Sequence, residues 1–339
     1  MGLILGSFSP FRVRNSPPKS EQGSVMLTLY DAKQFESIRP LVERSFKRWN
    51  DRARRHIRDE MRLKLRVETK HFDVPVRVVA EWPEAVTNAL QKITDPICPI
   101  LQNQISPIRN LGASARQLKD TLPQLAENDV RWQESVSGMI QVLEQVEKIS
   151  DTLDAYFKQH CDAVSTILAV EEDVLGAYFY DVSNWREPQR IELYYPVIGL
   201  VASQLRIEVS DLTVVVLIHE LAHAYSHLGY DIDERCWDTF AFRKANRGIK
   251  EGIAQYFTDR IANKFRAENP GIWEAYDTLV KRQAKIYRNH LSWVERVTPE
   301  AVRTALLMCR NQRMKDLQEF EMALDACKSG LKEKEDMIL

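Results

Sequence analysis

Two histidines stand four residues apart with a glutamate beside the first, in His219-Glu220-Leu221-Ala222-His223. On a helix, positions i and i+4 differ by about 40° of rotation and one turn of rise. The two imidazoles therefore face one side and can share one ion. Imidazole nitrogens in tetrahedral geometry suit zinc. Glu220 lies beside the pair, placed to take a proton from water at the metal rather than to bind the metal itself. A catalytic tetrahedral site needs a third protein ligand and one open position. Glu251, in Lys250-Glu251-Gly252-Ile253-Ala254-Gln255-Tyr256, is the candidate. A solvated helix-start carboxylate is the competing reading of Glu251, and Asp231 and Asp233 are alternative acidic ligands. His227 continues the histidine stripe at i+8 but sits about 12 Å up the axis, too far to share the ion. It reads as a polar residue at the helix end. Oxyanion stabilisation usually falls to a Tyr or His. Tyr256, Tyr287 and His290 are the candidates, and the sequence does not choose among them.

These residues need elements to hold them. Ser210 suits an N-cap, Asp211 the positive start of a helix and Gly229 its stop, which bounds a helix over Asp211–Leu228. Its first half, Leu212 to Ile218, is apolar on every side and must be buried. A second helix carries Glu251 and runs to about Arg266, before Glu268-Asn269-Pro270-Gly271. Gly252 inside it costs about 1 kcal/mol relative to Ala. Close approach to the histidine helix would supply the reason, with Ala254 keeping the contact tight. Val174–Tyr180 and Arg190–Tyr195 read as short strands around an Asn184-Trp185-Arg186-Glu187-Pro188 turn. A short helix over Pro196–Gln204 follows, and the remainder is mainly helical. One helix there opens at Thr298-Pro299-Glu300, a cap followed by proline and an acid.

HELAH followed by EGIAQY resembles the gluzincin metallopeptidases, which include the thermolysin-like and zinc aminopeptidase families. The resemblance covers roughly residues 173–266. It implies a zincin-like metallopeptidase domain with one Zn2+ held by His219, His223 and Glu251, and Glu220 as the general base. Two departures refine it. The gap from His223 to Glu251 is longer than usual in those families, implying an extra loop, Tyr230 to Gly248, that bears Trp237, Phe240 and Phe242. The aminopeptidases' Gly-x-Met-Glu-Asn strand corresponds to Gly176-Ala177-Tyr178-Phe179-Tyr180, which lacks the Glu and Asn that grip a free amino terminus. Endopeptidase action on a protein or peptide substrate is the expectation. Gly176–Asp181 or Arg190–Tyr195 would receive extended substrate by strand addition.

The N-terminal half matches no such pattern. Residues 1–25 read as a disordered leader, and 26–82 as a small α+β unit. That unit has a basic helix over Asp31–Glu60, a strand alternating Met61, Leu63, Leu65 and Val67, and a second strand Val74–Ala80. Residues 83–172 read as a helical hairpin or bundle. Met139, Val142, Val146, Ile149, Leu153, Tyr156, His160, Ala163 and Ile167 form its coiled-coil seam, and a partner helix lies between Ser106 and Leu125. Pro96, Pro99, Pro107 and Pro123 are expected to break the earlier part into shorter helices. His160 reads as a tolerated core or boundary residue. The region is a candidate surface for regulation, substrate recruitment or a protein partner. The fold class is α+β, mainly helical, with residues 173–339 as the metallopeptidase domain.

Composition sets the remaining bounds. Of 339 residues, 44% are hydrophobic and 28% charged, as in an ordinary globular protein. A net charge of −1 gives no global attraction to nucleic acid or membrane. Eleven Lys/Arg against five acids between Val42 and Lys70 could meet phosphates, but they alternate with apolar positions as a solvated face does. No run approaches the roughly 18 apolar residues of a membrane span. Met1 to Ser7 is too short an apolar run for a signal peptide. Cys98, Cys161, Cys236, Cys309 and Cys327 form no CxxC pair, so reduced cysteines and a cytoplasmic protein are expected. The alternative to an enzyme is a non-catalytic adaptor, in which the helical region works and the zinc site is structural.

Overall fold

The computed structural model describes residues 35–65, 74–93, 95, 97–126, 130–180, 189–232, 234–312, 314 and 316–336. The proposed leader, the Asn184–Pro188 turn and Asp233 lie outside them. In chain order the elements begin with α1 (Arg39–Met61), β1 (Val76–Val79) and α2 (Glu84–Gln91). A long pair follows, α3 (Cys98–Ala126) and α4 (Val130–His160), then α5 (Ala163–Leu168), β2 (Gly176–Phe179) and β3 (Arg190–Tyr194). Next come α6 (Tyr195–Leu205), α7 (Val209–Leu228), α8 (Thr239–Lys244), α9 (Arg247–Phe265) and α10 (Pro270–Val280). A 3-10 turn (Lys285–Arg288), α11 (Leu291–Val294), α12 (Pro299–Gln312) and α13 (Leu317–Asp336) complete the chain. The fold is mainly helical with one small mixed sheet.

The apolar run of α7 organises the core. Every residue from Asp211 to His227 is buried, so the helix needs cover on all sides. One side comes from α1, whose buried residues Val42, Ser45, Trp49, Ala53, Ile57 and Met61 recur at helical spacing. Ser45 Oγ donates to Ser210 O at 2.6 Å. Arg44, Lys47, Arg48, Arg55 and Arg58 face outward as a solvated face. Other sides come from α9 and from the sheet. Strand order is β1-β3-β2, with β1 parallel and β2 antiparallel to the central β3. The helix of the expected α+β unit over 26–82 packs on α7, and its strand pairs in parallel with β3.

Other expectations change. The strand over Met61–Val67 is not formed among the described residues: α1 runs through Met61, and Lys64 makes one antiparallel bridge, to Tyr230. α3 continues through Pro107 and Pro123. Each proline removes one helical bond, but antiparallel packing on α4 holds the helix. Their seam is rotated from the expected stripe. Val136, Ser150 and Phe157 are buried, whereas Met139, Val142 and Ile149 are 47%, 60% and 60% exposed. A single covering helix needs only a narrow line, and that line runs where Gly112 meets Ser150. His160 is exposed, its ring 4.7 Å from that of Tyr156.

Cys98 and Cys161 form a disulfide at the base of this hairpin, with Cα atoms 4.9 Å apart. Antiparallel helices return the chain to its start, so residues 63 apart in sequence become neighbours. This overturns the expectation of five reduced cysteines and removes that argument for a reducing compartment. Among the described residues no helix is long and apolar enough to cross a membrane.

Candidate metal centre

The site forms where α7, α9 and the entry to β2 meet. α7 starts two residues earlier than expected: Glu208 occupies the cap position without a side-chain bond, and Ser210 lies inside the helix. α9 is capped by Asn246, whose side chain accepts from Gly248 N–H at 2.7 Å. Glu251 therefore lies past the first turn and is 3% exposed. The helix-start reading of it does not hold.

The ligand atoms converge. His219 Nε2 and His223 Nε2 are 3.1 Å apart, and Glu251 Oε2 lies 3.3 Å from the first and 3.2 Å from the second. Zinc–ligand bonds of about 2.0–2.2 Å at tetrahedral angles place ligand atoms roughly 3.3–3.5 Å apart. The triangle has close to that edge. His219 Nδ1, Glu220 Oε2 and Glu251 Oε2 are buried without a hydrogen-bond partner. One proton shared by the two imidazole nitrogens would satisfy that pair but not Glu251 Oε2, which lies within 3.3 Å of both and competes for it. A cation would satisfy the two Nε2 atoms and Glu251 Oε2 at once, so the donor set fits a metal ion. Asp173 joins the group, with one ligand atom from each of Asp173, His219, His223 and Glu251 lying within 4.8 Å of one another.

Electrostatics follow from burial and shared charge. Glu220 is 1% exposed. Burial, then the carboxylates of Asp173 and Glu251, push its pKa well above the ordinary value, against a Tyr178 backbone N–H that favours the charged form. Burial also acts upward on Glu251, but His223 and His219 outweigh it and hold that carboxyl well below the usual range. Burial acts downward on His223, and Glu251 and Asp173 reverse it, so its pKa is raised. Asp173 is raised by burial and by Glu251.

A second set of donors surrounds the carboxylates. Arg247 Nε donates to Glu251 Oε1 at 3.3 Å, leaving Oε2 to the histidines, and Arg247 Nη2 donates to Tyr287 Oη at 3.1 Å. Tyr287 Oη donates to Asp173 Oδ1 at 3.1 Å. Gly176 allows β2 to approach: a Cβ there would lie 2.8 Å from Val216 Cγ1 and 3.1 Å from Glu220 Cγ. Among the described residues β2 is an edge strand, while β3 is paired on both sides, so of the two expected substrate strands β2 is the one with an edge to offer.

Of the oxyanion candidates, Tyr287 borders the site, its ring 6.1 Å from that of His219. Tyr256 instead donates to Val297 O at 3.0 Å within the core. His290 is buried against Tyr276 Oη, 2.6 Å from its Nε2. Asp231 pairs with Arg303 and is outside the cluster. His227 is buried rather than terminal: its nitrogens meet Tyr178 Oη at 2.9 Å and Thr239 Oγ1 at 3.1 Å, and its ring stacks on Phe242. It ties α7 to the edge strand and to the extra loop. Gly252 packs on Trp293, where a Cβ would lie 2.3 Å from Cη2, and not on the histidine helix as expected. Asp173 and Arg247 escaped the sequence reading. An acid immediately before an expected edge strand and an arginine at i−4 to Glu251 were the available signals.

Two cavities open onto the cluster. One is lined by His219, Glu220, Asp173 and Tyr287 together with apolar Leu168, Val215 and Leu279. The other is lined by His223, Glu251, Asp173, Arg247 and Lys250 with Tyr180 and Phe242. Comparison with family models, curated proteins and solved structures finds no match for this chain.

Proposed function

We propose that the chain is a zinc-dependent peptidase of zincin type, cutting internal bonds of a protein or peptide. The observation that carries this reading is the ligand triangle of His219, His223 and Glu251, with the buried carboxyl of Glu220 beside it but not part of it. Zinc bound there would supply a Lewis acid that polarises a carbonyl and acidifies water. Glu220 is then the group that accepts the proton and delivers it to the leaving amine, a role that suits a buried carboxyl of raised pKa. Arg247 orients Glu251 through its second oxygen, and the Tyr287 hydroxyl, which borders the site, would turn from Asp173 to serve a developing oxyanion. The free edge of β2 would align extended substrate over the cluster.

One observation favours a second reading, a structural zinc site in a non-catalytic adaptor. Asp173 could act as a fourth ligand and close the site. Its Oδ1 already accepts from Tyr287, which supports the open-site reading. The helical hairpin would then be the working part of the adaptor.

The test combines zinc quantification with proteolysis of unstructured protein substrates by wild type, Glu220→Gln, His219→Ala and Asp173→Asn. The peptidase reading expects Glu220→Gln to keep zinc and lose cleavage by at least a hundredfold. It expects His219→Ala to lose both and Asp173→Asn to keep zinc. Unchanged cleavage in Glu220→Gln overturns catalysis. Loss of zinc from Asp173→Asn with no cleavage in wild type establishes the closed structural site instead.

A further inference from the structure

The cavity on the His223 side has a composition of its own. Its wall carries Lys250, half-buried, with Nζ 5.1 Å from the ring centre of Phe242 and 5.6 Å from that of Tyr180. Aromatic faces stabilise an ammonium but do not neutralise it. Glu251, the next residue, cannot serve as its counter-ion: Oε2 faces the two histidines and Oε1 faces Arg247. Arg247 is likewise committed, to Glu251 and Tyr287. Among the described residues no carboxylate forms an ion pair with Lys250; Glu251 and Asp173, which share the cavity wall, attract it only from farther away, and burial makes an incompletely neutralised charge costly. The cavity on the Glu220 side presents no lysine or arginine and combines apolar Leu168, Val215 and Leu279 with the acids Glu172, Asp173 and Glu220. A substrate lying across the cluster would meet apolar and acidic surface on one side and a cation between aromatic rings on the other.

We infer that the Lys250–Tyr180–Phe242 cavity is a specificity pocket for a carboxylate of the peptide substrate, next to the bond at the metal cluster. The inference rests on the peptidase reading for its orientation. Lys250 supplies the charge, and the rings of Tyr180 and Phe242 bracket the ammonium and pack on the methylene stem of the incoming side chain. Two carboxylates have this chemistry, the side chain of an Asp or Glu and the free C-terminus of a short peptide. The first keeps endopeptidase action; the second would restrict cleavage to the chain end.

The test is a binding measurement on full-length, zinc-loaded protein carrying Glu220→Gln, so that probes are not consumed. Fluorescent peptide hydroxamates that differ in one flanking residue, Glu, Gln or Lys, are titrated by anisotropy. A fourth probe replaces that residue with a free terminal carboxylate. The Glu probe is expected to bind about tenfold more tightly than Gln, as a charge-assisted contact in a partly buried site implies. Lys250→Met should erase the difference, Lys250→Arg should keep it, and Lys250→Glu should make the Lys probe the tightest. A tighter terminal-carboxylate probe than Glu probe assigns the pocket to chain ends. Equal affinities for Glu and Gln, a preference that survives Lys250→Met, or no binding of any probe overturns the pocket. Wild type that cleaves no peptide while the binding preference persists overturns the peptidase reading and leaves the pocket standing.

Discussion

The α3–α4 hairpin and the α7–α9 core treat polar groups in opposite ways. On the hairpin, charges are paired at the surface: Arg116 with Glu147 and Asp151, Lys119 with Glu147, Arg109 with Asp154. Its internal contact is a narrow line past Gly112 and Ser150, with Ser150 Oγ donating to Ile108 O at 2.8 Å. Leu111 and Leu118 stay in solvent, as do Met139, Val142 and Ile149. In the core the chain buries charge and leaves His219 Nδ1 and Glu220 Oε2 without hydrogen-bond partners, and Glu251 Oε2 with only the two histidine nitrogens beside it. Each such atom costs about 1–3 kcal/mol. A hairpin built this way needs no ligand to complete it, whereas the core carries unsatisfied polar atoms at the cluster and also at Ser226 Oγ, Gln255 Oε1 and His290 Nδ1.

Acid should separate the two regions most strongly. Burial lowers the pKa of His227 and of His290 to about 4 from an ordinary 6.5. Between those values the unfolded chain binds protons that the folded core does not. The contribution of these two histidines is therefore complete above pH 6.5 and falls as the pH drops toward 4, by up to about 3 kcal/mol for each, while the raised Glu220, Asp173 and His223 act in the opposite sense. The hairpin behaves differently. The Lys119 hydrogen bond holds Glu147 below its ordinary 4.5, so that contribution persists until the pH falls through the carboxylate range. Titration from pH 7 to 4 should loosen hydrogen exchange in residues 209–265 before residues 98–126 and 130–160. The buried Trp237 and Trp293 report the core change by fluorescence. Simultaneous loosening of both regions would contradict the contrast.

The disulfide is the converse probe. Cys98 and Cys161 close a long loop, their sequence separation being 63. Replacing both by Ser should cost about 2–4 kcal/mol, read as faster exchange in the hairpin with zinc content unchanged. Loss of zinc in this variant would show that the hairpin base braces the metal centre through α5 and Asp173. Gly252→Ala comes next: the added Cβ meets the Trp293 ring, and overpacking there should cost about 1–3 kcal/mol in a chemical denaturation series.

These contrasts also mark what could be read from residues alone. His219, Glu220 and His223 share one helical turn, so local spacing was enough, and Glu251 followed from its own helix. Strands β2 and β3 and the Thr298 cap were legible for the same local reason. Pairing across distance was not. Asp173 reaches the cluster only because β2 lies along α7. β1 joins β3 from the far side of the hairpin, and the partner of Gly252 is a tryptophan two helices downstream. The hairpin seam was misread because a hydrophobic stripe reports burial only when enough neighbours cover it. Met139, Val142 and Ile149 have the spacing of a seam, but one helix cannot cover them.

The smallest effects belong to the hairpin surface. A Cβ at Gly138 would meet nothing within 4 Å, and the residue lies inside α4, where glycine is less favourable than alanine. Gly138→Ala should stabilise by about 0.5–1 kcal/mol, opposite in sign to the same change at Gly252. Lys119→Ala removes a partly exposed surface pair whose Coulomb gain is largely screened and offset by side-chain entropy, so its melting temperature should fall little if at all. In the core, Glu60 receives Arg260 at 2.7 Å and also Lys264, joining α1 to α9 with its carboxylate only 8% exposed. Glu60→Ala should therefore lower the melting temperature measurably where Lys119→Ala does not. Equal effects at the two sites would mean that burial does not set the worth of ion pairs in this fold, and the contrast between hairpin and core would lose its electrostatic basis.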